Sequence, residues 1–148
     1  MNSIFNNKIL IITVSVWAIA QVIKVVVGII REKRFNFRWF IGTGGMPSSH
    51  AAGAAALATS TGLYVGWASP MFALATVFAL VTMFDAQGVR RSAGHQASIL
   101  NQILDDMYWK GKIKTEKLFE LVGHTPLQVL SGALLGCFLA MFFYQRWN

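Results

Sequence analysis

The chain has 148 residues, of which 55% are hydrophobic and 13% charged, and its mean hydropathy is +0.51. This length fits a single domain over residues 1–148. The apolar residues form long runs, which excludes an ordinary soluble domain and indicates a membrane protein. A net charge of +7 would suit nucleic acid or anionic lipid. Because the cations cluster beside apolar runs, the positive-inside rule explains them better, and nucleic acid is not an expected partner.

The first apolar run covers residues 9–30 and is long enough to span a bilayer at ~1.5 Å per residue. The alternative is a signal peptide, with Lys8 before a short apolar region and a small-residue cleavage site at residues 18–20. The run continues past that site, which favours a membrane span. The basic residues 31–38 that follow suit a loop at a membrane face.

Residues 44–50 read Gly-Gly-Met-Pro-Ser-Ser-His and precede a second apolar run at residues 51–68. A Gly-Gly turn, a Pro, two hydroxyl residues and a His at a helix start suit an anion site better than a packed core. The second run is rich in Ala and Gly, which lets helices approach closely. Ser69 and Pro70 then predict a cap and a first helical residue for a third run, residues 71–84.

The segment between the third and last runs is polar. Residues 85–91 are densely polar, and apolar residues recur at helical spacing in residues 97–108. This spacing predicts an amphipathic helix that lies along the membrane surface or against the bundle. Asp105 and Asp106 belong to its solvated face and do not predict a metal site. After several lysines, a short helix is predicted at residues 115–122.

The last apolar run covers residues 127–144. Thr125 can cap its helix, and Pro126 can occupy the first turn. Gly132 and Gly136 are four residues apart, a small-residue pair that suits close helix contact.

These elements predict an all-α fold, an integral membrane bundle of about four transmembrane helices. An amphipathic helical segment lies between spans three and four. The loops after spans one and three hold nearly all the cations, so we expect both in the cytoplasm and both termini outside. The Gly- and Ala-rich faces could serve a homo-oligomer as readily as internal packing.

Polar side chains suited to phosphate chemistry fall at the cytoplasmic ends of all four predicted spans. In chain order they are Lys24 and Arg31, then Ser48, Ser49 and His50, then Asp85, Arg90 and Arg91, and finally His124 and Gln128. The starts of spans two and four also aim backbone N–H groups and positive dipole ends at this level. Cations, helix N-termini and two imidazoles together describe a phosphate site with a nucleophile and an acid.

Spacing relates some of these residues. Lys24 and Arg31 are seven apart, about two turns, so they share a helix face. Lys24 lies inside an apolar span, where it either snorkels to the interface or, with Arg31, reaches a buried anion. His124 and Gln128 are four apart and share a face if the helix has already begun there.

The first two of three motifs follow a known family pattern closely. Lys24 and Arg31 match a Lys, six residues, then Arg, although Glu32 stands where Pro is expected. Residues 47–50 read Pro-Ser-Ser-His, where the pattern has Pro-Ser-Gly-His.

The third motif is only partly kept. His124 and the step of four residues match it, but Gln128 replaces an Asp and Leu118 replaces an Arg. With residues 85–97 and 123–129, the chain resembles the small, divergent bacterial branch of the type 2 phosphatidic acid phosphatase superfamily. That superfamily also includes the vanadium haloperoxidases.

The resemblance implies a metal-independent, cofactor-free phosphatase in the bacterial inner membrane that acts on a lipid phosphomonoester or pyrophosphate. The distribution of cations places its site at the cytoplasmic face. His124 would attack phosphorus and form a phosphohistidine, and His50 would protonate the leaving group. The residues implied to hold the phosphoryl oxygens are Lys24, Arg31, one or both of Arg90 and Arg91, and the amides near Ser48 and Ser49.

The departures from the third motif leave alternatives open. Gln128 can accept a hydrogen bond from His124 but cannot stabilise an imidazolium with a charge. We expect Asp85 either to take that role or to brace Arg90 or Arg91, with span three supplying the missing Arg. The rival hypothesis is a catalytically inactive membrane protein that binds phosphate or an acidic lipid. Halide oxidation is a weak third option, because nothing in the residues selects it.

Overall fold

The computed structural model describes residues 4–33, 45–109 and 123–147, without the side chains of residues 5, 89–91 and 106–109. These ranges contain a 3-10 turn, Ile4–Asn6, and no strand. Their five α-helices are α1 Lys8–Glu32, α2 Ser49–Val65, α3 Pro70–Gln87, α4 Val89–Trp109 and α5 Pro126–Trp147. The predicted all-α fold is confirmed. The helix predicted at residues 115–122, Gly44 and most of the two basic loops lie outside the described residues.

Helix boundaries follow local capping chemistry. Ser69 accepts a hydrogen bond from the N–H of Phe72, and Pro70 opens α3, as the sequence predicts. At its other end α2 stops before Gly66, whose φ of +106° is left-handed and favours glycine. A single turn residue, Gly88, separates α3 from α4, so the polar residues from 85 onward continue the helices rather than form a loop.

α2 is the centre of the bundle, and α1, α3 and α5 pack around it. Its Ala52 and Ala56 form a buried core with Ile12, Val16 and Ala20 of α1 and Ala140 of α5. A Cβ on Gly132 or Gly136 would collide with a carbonyl oxygen of α2, that of Ser48 or Ala52 respectively. The predicted close contact at this glycine pair is therefore confirmed.

Three described segments are long and apolar enough to cross a membrane: Lys8–Glu32, Pro70–Asp105, which runs over α3 and α4, and Pro126–Trp147. The second predicted span forms α2, which has 17 residues and measures about 26 Å against a hydrocarbon core of ~30 Å. Its small side chains are covered by the neighbouring helices rather than by lipid. The chain is a multi-pass membrane protein.

The amphipathic segment is helical, as predicted, and begins earlier, at Val89. Its apolar residues Ile99, Leu100 and Ile103 are exposed, whereas Asn101 is buried. Within the described chain this apolar stripe therefore does not pack against the bundle, which favours the alternative of a helix along the membrane surface.

Candidate functional site

Two backbone hydrogen bonds join the end of α3 and the starts of α2 and α5. The N–H of Ser48 donates to the carbonyl of Gln128 at 3.0 Å, and the N–H of His124 donates to the carbonyl of Ala86 at 3.0 Å. The second bond satisfies a carbonyl in the last turn of α3, where helices lack internal partners. The segment before α5 is thus fixed to the end of α3, and the first turn of α5 is fixed to the start of α2, so main-chain bonds form a frame around His124.

His124 is 2% exposed and lies two residues before α5 begins at Pro126. His124 is therefore not in the helix, so it does not share a helical face with Gln128. The two side chains nevertheless meet, with Nδ1 of His124 3.2 Å from Oε1 of Gln128. A capping box explains the contact. The N–H of Gln128 donates to Oγ1 of Thr125 at 3.4 Å, and Oε1 of Gln128 accepts from the N–H of Thr125 at 3.1 Å. This cap turns the amide of Gln128 back toward His124.

The capping box also determines the tautomer of His124. A backbone N–H can only donate, so the Gln128 atom facing Thr125 must be the amide oxygen. The same oxygen faces Nδ1 of His124, and Nδ1 must therefore carry a proton. In the neutral ring the lone pair is then on Nε2. A nucleophilic imidazole requires this arrangement.

His50 is the second residue of α2 and is half-buried. Its ring centroid lies 6.4 Å from that of His124, with the ring planes inclined by 60°. The two imidazoles are therefore near neighbours but not stacked. The frame described above holds their separation, because Ser48 precedes α2 and bonds to the first turn of α5.

Ser48 and Ser49 are buried, with 0% and 2% exposure. Oγ of Ser48 accepts from the N–H of Ala51 at 3.4 Å and caps α2. The N–H of Ser48 donates to α5, and the phosphate-binding role expected of the amides near Ser48 and Ser49 stays a prediction.

The structure separates the two cations of the first motif by environment. Lys24 is 6% exposed, and Arg31 is exposed in the last turn of α1. Gly45, at a φ of +86°, lies over Lys24, and a Cβ there would be 3.0 Å from Cγ of the lysine. The chain entering α2 therefore covers the Lys24 stem, which brings Lys24 to the level of the site. The role of Arg31 in phosphate binding stays a prediction.

Asp85 is half-buried in the last turn of α3, directly before the Ala86 that anchors His124. Arg90 and Arg91 follow in α4, and their side chains lie outside the described part of the chain. The roles of these three residues stay predictions. Within residues 4–33, 45–109 and 123–147, no group of three His, Cys, Asp or Glu side chains could hold a metal ion.

Sequence reasoning missed two features that position His124. One is the capping box, whose signature, a Thr followed three residues later by Gln, is present at residues 125–128. The other is the bond from His124 to the carbonyl of Ala86, for which the sequence carries no signal, since any residue could supply that carbonyl.

Comparison with known proteins gives consistent results. A family model described as the Divergent PAP2 family matches residues 5–139. The chain is 42% identical over 133 residues to the uncharacterized membrane protein YuiD of Bacillus subtilis strain 168, an alignment that covers 82% of this chain and 84% of that relative. No solved structure matches the chain. The predicted resemblance is confirmed, and the chain belongs to the Divergent PAP2 family.

Proposed function

We propose that this protein is a membrane phosphatase that hydrolyses a lipid phosphomonoester or pyrophosphate through a phosphohistidine at His124. One observation carries the proposal. Gln128 holds the buried His124 in the tautomer with its lone pair on Nε2, and the ring of His50 lies 6.4 Å away. A nucleophile and a separate proton donor within one buried site are what metal-independent phosphoryl transfer needs.

The proposed reaction has two displacements at phosphorus. In the first, Nε2 of His124 forms a P–N bond, the P–O bond to the lipid breaks, and His50 gives its proton to the leaving oxygen. In the second, water attacks phosphorus, its proton passes to His50, and the P–N bond breaks to release phosphate. Attack and proton transfer each need about 3 Å between heavy atoms, and imidazoles with centroids 6.4 Å apart are close enough to contact the same phosphoryl group.

Charge stabilisation would come from several elements. The buried Lys24 and the start of α2 supply positive charge and a dipole end at the level of the histidines. Arg31, Arg90 and Arg91 are proposed to complete the phosphate site, and Asp85 to orient His124 or brace an arginine. We place this end of the bundle in the cytoplasm of a bacterial inner membrane, because the basic loops belong to it.

Reconstituted protein assayed for phosphate release tests the proposal. The panel would contain phosphatidic acid, phosphatidylglycerol phosphate and a polyprenyl diphosphate. We expect release from at least one of them, and a loss of at least about 10³-fold with His124→Ala. His95→Ala is the matched control, because His95 is exposed on α4 and should retain normal turnover. Release that survives His124→Ala would refute the mechanism.

The second candidate is an inactive protein that binds phosphate or an acidic lipid. The neutral Gln128 favours it, because an amide gives less support to a developing imidazolium than a carboxylate does. It predicts saturable phosphate binding, lost with Lys24→Met, and no release from any member of the panel.

A further inference from the structure

An apolar cleft lies between the second half of α3 and the first half of α5. It has a volume of about 240 Å³, and its walls are formed by Leu80, Met83 and Phe84 on α3 and by Val129, Leu130 and Ala133 on α5. Gln87 and Pro126 complete the lining at the end of the cleft nearest His124, which we call its mouth. Among the eight lining residues Gln87 has the one polar side chain, so the cleft suits a hydrocarbon occupant.

The mouth of the cleft adjoins the candidate site. Gln87 directly follows Ala86, whose carbonyl accepts the N–H of His124, and Pro126 lies two residues after His124. From this mouth, Leu80 is seven residues back along α3 and Ala133 seven residues along α5. The cleft therefore runs about 10 Å away from the histidines, parallel to the helices.

The cleft opens sideways into the region that a bilayer fills. Leu80 is 51% exposed, Phe84 74% and Leu130 57%. Both walls belong to segments able to cross a membrane. α3 and α5 each pack on α2 and contact one another little, so a slender chain can enter between them without separating packed helices.

We infer that this cleft holds a hydrocarbon chain of the lipid whose phosphate lies between His50 and His124. The inference rests on the proposed function and narrows its substrate to phosphates with a long hydrocarbon chain close to the phosphoryl group. The position of the cleft determines the orientation of the bound lipid, with its phosphate at the mouth and its hydrocarbon chain along α3 and α5.

Substrate chain length provides the kinetic test. Turnover of a long-chain phosphatidic acid would be compared with that of a dibutyryl analogue with the same headgroup. Ala133→Phe and, from the opposite wall, Leu80→Trp should fill the cleft. Each should reduce kcat/KM for the long-chain lipid about tenfold and leave the short-chain value within about twofold. Ala73→Phe is the matched control, because Ala73 is exposed at the other end of α3 and should change neither value.

Photolabelling tests occupancy independently of turnover. The probe is a phosphatidic acid with a diazirine in one acyl chain, carried in phosphatidylcholine vesicles. We expect adducts on residues 80–87 and 126–133, displaced by excess phosphatidic acid or farnesyl phosphate and not by phosphatidylcholine. Phosphate release that does not depend on chain length, together with labelling that competitors do not displace, would overturn the cleft inference and leave the proposed function intact. Crosslinks to a second copy of the chain through the cleft would have the same consequence. Competed labelling without any release would overturn the proposed function and retain the cleft.

Discussion

The two ends of the bundle use their polar and aromatic side chains differently. We call one the histidine end, defined by Lys24, Ser48, His50, His124 and Gln128. The other is the aromatic end, where the start of α1, the turn from α2 to α3 and the end of α5 meet. At the aromatic end side-chain contacts hold the helices together, whereas at the histidine end the side chains lie beside contacts made by the backbone.

At the aromatic end, side-chain contacts join the helices and cap the turn between α2 and α3. Nζ of Lys8 donates to the carbonyl of Trp147 at 2.7 Å, where the end of a helix attracts a cation. The same ammonium lies 5.7 Å from the ring centroid of Tyr64, which packs edge-on against Tyr144 at 4.8 Å. In the turn, Oγ of Ser69 donates to the carbonyl of Gly66 at 2.7 Å. Caps and ring contacts account for these side chains.

At the histidine end the backbone closes the bundle. The bonds from Ser48 to α5 and from His124 to α3 run between main-chain atoms, and Gly132 lets α2 and α5 approach until backbone meets backbone. Two imidazoles and a lysine then lie beside a frame whose closing bonds are made by main-chain atoms. Replacing these side chains should therefore affect chemistry more than stability, and the aromatic end should show the reverse.

The largest expected effect on stability comes from the frame. Gly132→Ala puts a methyl group into the carbonyl of Ser48 and should destabilise the bundle by about 3 kcal/mol, because neither backbone can move away easily. Thermal inactivation in detergent, followed by size-exclusion chromatography, measures this loss. Leu134→Ala, on an exposed position of the same helix, should behave like the parent protein. Equal stability of the two variants would show that α2 and α5 have room to separate.

The next effect concerns the proton donor. His50→Ala should lower phosphate release from a lipid substrate about 10²–10⁴-fold, the usual contribution of a general acid, and leave the melting temperature within a few degrees. With a p-nitrophenyl phosphate substrate, the loss of turnover caused by His50→Ala should be smaller, because the departing oxygen needs no proton. If both substrates lost activity equally, His50 would have some other role, such as holding phosphate.

Gln128 tests whether orientation of His124 can be separated from helix capping. Gln128→Leu removes both, and we expect roughly a 10²-fold loss of turnover and about 1 kcal/mol of stability. Gln128→Glu keeps an acceptor for the N–H of Thr125 and should retain both stability and most of the turnover. Turnover is measured as phosphate release and stability by thermal inactivation. If Gln128→Leu lost stability alone, the residue would serve only as a cap.

The long apolar runs and the pairs Ser69-Pro70 and Thr125-Pro126 were enough to predict four of the helices. The Ala- and Gly-rich composition of the second run also predicts that it packs against other helices, but composition does not tell how many helices cover α2. The Cβ collisions of Gly132 and Gly136 with α2, together with the end of α2 at Gly66, show that it is a covered core helix.

The candidate site shows a similar division. The motifs predict that His50 and His124 belong to one site, and the structure places their rings 6.4 Å apart. The contact between His124 and Gln128 arises from a capping box, which helical periodicity does not predict. Lys24 and Arg31 share a spacing of two turns, but burial depends on what covers each residue. The chain at Gly45 covers Lys24, and Arg31 is exposed. Partners distant in sequence, such as the carbonyl of Ala86 for His124, cannot be inferred from local spacing.

The smallest expected effect lies at the aromatic end. Lys8→Met keeps the length of the side chain and removes the ammonium that binds the carbonyl of Trp147, the last residue of α5. An exposed cation at a helix end contributes about 0.3–1 kcal/mol, so we expect a small drop in thermal stability, greater at low salt than at high salt. Phosphate release should be unchanged, because Lys8 is the first residue of α1 and Lys24 lies about 24 Å further along the helix, toward the histidine end. A loss of turnover in Lys8→Met with unchanged stability would mean that the two ends are coupled, and the division of the bundle into a structural end and a chemical end would be wrong.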